Sequence, residues 1–258
     1  MSARAMWKGV ITFEDVRVPV KLYAAVQDQR VHFRLLHKKD HAPVRQALVH
    51  PDDDTPVDRD EIRRGYDTDA GDLVMLNQQE LDTLMPEPSR DIEVLHFLPQ
   101  KAIDHRWYSR PYYLGPDGDD EAYAALAQAL AESEQEGLVR WVMRNKAYVG
   151  ALRLHEGYPI LVALRTSNEV IAQDQLEAPG GDALDDNEIA MAQQLIDMLA
   201  AAFEPEAYQD DYRDRVMAMI EAKARGEKVN VTPMRRRSAS KNLTSALEAS
   251  LRKERKRA

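Results

Sequence analysis

Residues 17–23 alternate without a break: Val18, Val20 and Leu22 point one way, Arg17, Pro19 and Lys21 the other. A period of two predicts a half-buried strand, and a proline inside it predicts an edge or a bulge. Residues 7–13, 31–36 and 92–97 are further short strand candidates, rich in β-branched and aromatic side chains. Residues 148–154 and 159–164 flank His155-Glu156-Gly157-Tyr158, which predicts a hairpin around a glycine turn. Many short strands without regular strand–helix alternation predict an antiparallel barrel or sandwich and argue against a parallel sheet.

Helices enter later. Residues 121–136 carry Tyr123, Leu126 and Leu130 on one stripe, begin after Asp119-Asp120 and are predicted to stop at Gly137. Residues 185–203 open with Asp185 and Glu188 at capping-box spacing and repeat Ile189, Ile196, Leu199 and Phe203 along one face. Pro205 breaks that helix, and Tyr212, Val216 and Ile220 predict another that runs to Gly226. The expected organisation is a mainly β core with added helices over residues 1–182, a helical arm over 183–226, and a linker with a basic tail over 227–258. In the tail, Leu243, Leu247 and Leu251 recur at helical spacing before Arg252-Lys253-Glu254-Arg255-Lys256-Arg257. The linker ahead of them has few large apolar residues to fold around. No repeat of solenoid or propeller period is visible.

At 258 residues the chain suits one domain with appendages, large enough to hide roughly 70–75% of its unfolded surface without staples. It has no cysteine, which excludes a disulfide framework, thiolate zinc sites and thiol catalysis and fits a reducing cytoplasm. No apolar run approaches a membrane span, and Met1-Ser2-Ala3-Arg4-Ala5 opens no signal-peptide core, so a soluble cytoplasmic protein is expected. The net charge of −9 conceals segregation: residues 1–50 carry 9 basic against 4 acidic side chains, 51–137 carry 7 against 22, 138–166 carry 5 against 1, 167–222 carry 2 against 14, and 223–258 carry 12 against 3. A polyanion is attracted by local basic surface, not by the total, so the sum does not exclude nucleic acid.

No catalytic constellation emerges. There is no phosphate-cradling glycine loop, and Gly180-Gly181 leads into an acidic helix start. His37 and His41 read as loop residues beside Pro43, and Asp52-Asp53-Asp54 and Asp117-Gly118-Asp119-Asp120 read as solvated turns, not cation loops. Glu221 and Lys223 lie on a predicted helix with no strand to align metal-binding partners, and no nucleophile elbow supports triad chemistry. No metal and no cofactor are expected.

Several segments are nonetheless distinctive. Ala3-Arg4-Ala5-Met6-Trp7-Lys8-Gly9-Val10-Ile11-Thr12-Phe13 followed by Val18-Pro19-Val20-Lys21-Leu22-Tyr23 closely resembles the opening of prokaryotic Ku proteins. Ile62-Arg63-Arg64-Gly65-Tyr66, Ser89-Arg90-Asp91-Ile92-Glu93-Val94-Leu95-His96-Phe97, Pro111-Tyr112-Tyr113-Leu114 and Phe203-Glu204-Pro205-Glu206-Ala207-Tyr208 follow in the family's order. The resemblance implies a Ku-type β-barrel core with an extended bridge and a carboxy-terminal helical arm. It further implies a non-enzymatic, nucleoid-associated homodimer that encircles double-stranded DNA ends in non-homologous end joining. Residues 242–251 look like the family's short segment for the repair ligase, an ATP-dependent DNA ligase D. On that basis Arg34, Lys38, Lys39 and Arg45 from the first basic block, with Arg140, Arg144, Lys146, Arg153 and Arg165 from the second, are the candidate DNA-facing residues. Leu243, Leu247, Leu251, Arg252 and Lys253 are the candidate ligase-facing ones. A metal-dependent nuclease acting on ends and an adapter that binds only proteins are the alternatives from other classes.

Overall fold

The alternating stretch 17–23 folds as β2 (Val16–Ala24), paired with the candidate strand before it, β1 (Trp7–Phe13), in a computed structural model that describes residues 4–177 and 185–227. Ile11, Val18, Val20 and Leu22 are buried, on the alternation the sequence predicts. The chain then runs out through two small strands, β3 (Arg64–Asp67) and β4 (Leu73–Leu76), and a short helix, α1 (Gln78–Thr83). It returns as β5 (Asp91–Pro99) and β6 (Tyr108–Pro116), passes through helix α2 (Asp120–Ser133), and ends the sheet with β7 (Gln135–Met143), β8 (Lys146–His155) and β9 (Tyr158–Leu164). Two further helices follow, α3 (Asp186–Leu199) and α4 (Asp211–Ala224). The fold is mainly β: a closed barrel in the order β1-β2-β6-β9-β8-β7-β5, with β3 and β4 as a separate two-stranded sheet. Closure comes from β1 and β5, which pair in parallel from Val10↔Asp91 to Thr12↔Glu93. Pro19 lies between two paired neighbours, not at an edge, but the β6 ladder on its strand begins only at Val20. No ladder bond to β6 is therefore lost there.

The barrel interior is solid. Gly9 leaves room for the Trp7 indole, which would lie 2.2 Å from an added Cβ, and Gly150 does the same for Trp141 at 2.6 Å. Trp141 stacks on Tyr148, with centroids 5.2 Å apart and planes 14° from parallel. Against the far end of the strands, α2 presses Leu126 and Leu130 into the core, and the Tyr123 hydroxyl donates to the Leu114 carbonyl at 2.8 Å. A small barrel filled in this way has no room for a ligand along its axis.

The connection from β5 to β6 runs along the β7–β8–β9 side of the barrel, where its last residues, Trp107 and Tyr108, meet Arg165 and Glu136. Strand alternation turns Glu136, Ala151, Arg153 and Val162 outward, yet Glu136 and Ala151 are fully buried. The connection covers them. At its end the Tyr108 hydroxyl donates to both Glu136 oxygens at 3.1 and 3.3 Å, Arg153 Nε donates to Glu136 at 2.8 Å, and the Arg153 guanidinium lies 5.0 Å from the centre of the Tyr108 ring. Burial pushes the Tyr108 hydroxyl pKa upward, so the group remains protonated and donates.

Residues 25–90 are built differently. Between Leu22 and Ile92 no residue is buried. Two tight turns there share one backbone pattern. Leu36 bridges Pro43 and Val49 bridges Pro56, and each turn is closed by a histidine N–H: His37 to Ala42 and His50 to Thr55, both at 2.8 Å. His41 and Asp54 adopt φ of 57° and 56°, and the carboxylates of Asp40 and Asp53 each accept a backbone N–H two residues on, at 3.1 Å. Lys38-Lys39 occupies the tip of the first turn, Asp52-Asp53-Asp54 that of the second.

By contacts the chain divides into two units. One holds Met1–Gln29 and Arg34–Gln175, with both sheets, α1 and α2; the other holds Arg30–Phe33 and Leu176–Ala258, with α3 and α4. Three sequence expectations need correction; one is the reach of α3, which ends at Leu199, so Phe203 lies outside it and Pro205 does not terminate it. Residues 31–36 form no strand: only Leu36 makes a bridge, since β-prone side chains do not make a strand without a neighbour to pair with. Helix α2 stops at Ser133, capped by left-handed Glu134 (φ 51°), and Gly137 lies inside β7. The Asp185–Glu188 capping box of α3 forms as expected.

Candidate nucleic-acid interface

Strand register brings the basic residues together. One mouth of the barrel collects the start of β1, the end of β2, the start of β5, the start of β6, the β7–β8 turn and the end of β9. Residues 25–90 therefore leave the barrel and rejoin it at the same mouth. Arg144 and Asn145 form the β7–β8 turn with φ of 53° and 60°, the two-residue arrangement that matches strand twist. Lys146 follows, its ammonium 5.4 Å from the centre of the Tyr148 ring. Arg165 continues β9; its N–H donates to the Trp107 carbonyl at 2.8 Å, and its guanidinium donates to the carbonyls of Arg106 (2.8 Å) and Tyr108. Burial raises the Tyr112 pKa, while the nearby guanidiniums of Arg110 and Arg144 act to lower it.

The other candidates lie elsewhere. Arg140 projects outward from β7 and pairs at 2.6 Å with Glu93, its register partner on β5, while its own side chain remains 62% exposed. Glu93 raises the Arg140 pKa further above its ordinary value. Arg153 belongs to the covered Glu136 network. Arg34, Lys38, Lys39 and Arg45 are all exposed within residues 25–90, the two lysines at a turn tip. Leu243, Leu247, Leu251, Arg252 and Lys253 lie outside the described residues.

The opposite end of the barrel is acidic. Glu14 and Asp15 make the β1–β2 turn, Asp119, Asp120 and Glu121 open α2, Glu134 closes it, and Glu156 sits in the β8–β9 turn. Asp117 is the exception: it bridges Lys8 at 2.9 Å and Lys21 at 3.1 Å. The bond from Lys8, then that from Lys21, holds its carboxyl below the usual carboxylate range. Among the described residues, no group of three or more His, Asp or Glu side chains is arranged to hold a metal ion.

Sequence reasoning missed two sets of basic residues. Arg90 stands just before β5, its carbonyl accepting the Val10 N–H at 2.8 Å, and lines a cavity of about 310 Å³ with Arg144. Arg59, Arg63 and Arg64 line another of about 500 Å³ beside Leu48, Ile62 and Leu76. All four lie in the chain segment with the greatest acidic excess. The cluster 59–64 was visible there as three arginines within six positions; Arg90 carried no local signal.

Comparison with known proteins adds an independent result. A family model for the Ku70/Ku80 beta-barrel domain matches residues 12–194. The chain is 36% identical over 255 residues to Non-homologous end joining protein Ku 2 of Geotalea uraniireducens (strain Rf4), covering 98% of this chain and 99% of that protein. It is 34% identical over 251 residues to Non-homologous end joining protein Ku of Bacillus subtilis (strain 168), covering 95% and 81%. Non-homologous end joining protein Ku of Coxiella burnetii (strain RSA 331 / Henzerling II) is 31% identical over 254 residues, covering 96% and 93%.

Proposed function

The chain belongs to the Ku family, and on that premise we propose that two copies close into a ring that threads onto double-stranded DNA ends in non-homologous end joining, without reading their sequence. The observation that carries the ring is the bridge. Phe33, Leu35, Leu48, Tyr66, Leu73 and Met75 are more than 60% exposed on it, and no residue between Leu22 and Ile92 is buried. An ordered segment of that length must gain more from burial than it loses in chain entropy, so it needs cover. A second copy about a two-fold axis is the simplest cover. The filled barrel leaves the space between subunits as the place for a duplex.

Within such a ring, Arg144, Lys146 and Arg165 at the barrel mouth and Arg34, Lys38, Lys39 and Arg45 on the bridge contact phosphates, which position a protein without specifying a sequence. The protein acts by binding, not by catalysis, and works at the nucleoid. The segment with Leu243, Leu247 and Leu251, followed by Arg252 and Lys253, recruits a ligase of the D type; its support is the leucine spacing and the family resemblance.

Gel shifts with linear and covalently closed circular duplex of the same length test the ring. Linear DNA should load, and bulky caps added afterwards to both ends should trap the protein. Equal loading on closed circles overturns threading, and cleavage of either substrate in magnesium favours a nuclease.

A further inference from the structure

The 310 Å³ cavity at the barrel mouth is lined by Trp7, Pro88, Ser89, Arg90, Val142, Arg144 and Asn145. Three observations set it apart from a plain basic surface. First, the side chains of Arg90 and Arg144 make no hydrogen bond or ion pair among the described residues, whereas Arg140, Arg153 and Arg165 all do. Second, the two-residue hairpin turn that sets the φ of Arg144 at 53° brings both Arg144 and Asn145 to the lining. Third, the Trp7 indole lies against Gly9, where any Cβ would collide with it, so the ring is held as one wall of the cavity. Pro88 and Val142 add apolar wall, and the Asn145 amide adds a polar group.

A duplex backbone is convex and lies across a surface. A concave site with one indole and two free guanidiniums instead matches a single nucleotide unit: a flat base for the ring and a phosphate for the cations. We infer that this pocket holds one unpaired nucleotide from a single-stranded overhang at a DNA end. The inference rests on the end-binding reading above and deepens it, since strand register places the pocket at the mouth where the bridge leaves and rejoins.

The test uses the full chain and a duplex blocked at one end by a bulky cap, its other end blunt or extended by four thymidines. One stacked base corresponds to at least about a fivefold gain, so the overhang should bind that much more tightly than the blunt end. Arg90→Gln and, separately, Trp7→Leu should bring the overhang-to-blunt ratio to within twofold of one. Replacing the terminal thymidine by 5-iodouridine and irradiating should crosslink it at Trp7, a readout that does not depend on either variant folding. Thymidine 5′-monophosphate at millimolar concentration should erode the overhang advantage and leave blunt-end binding in place. An overhang ratio of one in the parent protein, a ratio unchanged in both variants, or a crosslink mapped elsewhere overturns the pocket. If blunt duplex is not bound at all, the end-binding reading fails first and the pocket with it.

Discussion

Replacing Arg153 by alanine separates a structural cation from a DNA contact. Arg153 is 33% exposed and bonds at 2.8 Å to Glu136, whose side chain has no exposure at all. Removing one partner of a buried ion pair strands the other charge, typically at about 3–5 kcal/mol. Two features put this site at the low end: the Tyr108 hydroxyl continues to donate to Glu136, and the space Arg153 leaves is open to water. A loss of about 3 kcal/mol follows, which for a chain of this size lowers the melting midpoint by about 6–12 °C. Glu136→Leu combined with Arg153→Leu should recover part of that loss, because no charge is then left unpaired, although the Tyr108 hydroxyl loses its acceptor. The assay is thermal unfolding by differential scanning calorimetry, with DNA binding measured in parallel well below the transition. If Arg153→Ala melts within 2 °C of the parent and loses DNA affinity, the side chain faces phosphate and the account of the Glu136 network is wrong.

Binding of about six phosphates should give a log K against log salt slope near −5; Arg144→Ala with Lys146→Ala should flatten it by nearly 2, and Glu93-paired Arg140→Ala by less, measured by fluorescence anisotropy. Arg144→Asn suits the left-handed turn better and should raise the melting midpoint by about 2–4 °C while weakening DNA binding. Asp117 has a lowered folded-state pKa, so its contribution is present above the ordinary carboxylate range and lost as pH falls through the lowered value. Carboxyl NMR should place its midpoint below 3.8, and Asp117→Asn should remove the low-pH loss from this site. Truncation after Thr232 should preserve end binding and abolish ligase stimulation, and Leu243→Asp with Leu247→Asp should do the same in the full chain, in a nick-sealing assay.

What the sequence revealed depended on how local the governing contacts are. Alternation located β2, β-branched and aromatic composition located β1 and β5, and the glycine turn between them located β8 and β9. Strand β7 was partly hidden, since α2 runs into it with only left-handed Glu134 between them and Gly137 looked like the stop signal. Residues 31–36 failed for the opposite reason, having strand composition but no neighbour. The paired turns at 36–43 and 49–56 escaped notice because their tips carry opposite charge, and what they share is backbone hydrogen bonding. At the site, Arg144 stood out in a basic block, whereas Arg90 meets it only because β5 lies beside β7 in the closed barrel, Ile92 opposite Trp141, bringing together residues far apart in the chain.

The same closure explains how a chain of net charge −9 presents a basic face. A nine-residue strand spans roughly 30 Å, and strand tilt in a small barrel reduces that to about 23 Å along the axis. The screening length at physiological salt is about 8 Å, so the two ends are nearly three screening lengths apart. A phosphate at the Arg144 mouth is then governed by Arg90, Lys146 and Arg165, and scarcely by Glu134 at the other end of β7. The acidic end still acts on a duplex that approaches it directly, repelling that encounter and favouring the mouth where the bridge is rooted. Total charge sets neither outcome; the axis along which the charges are sorted sets both.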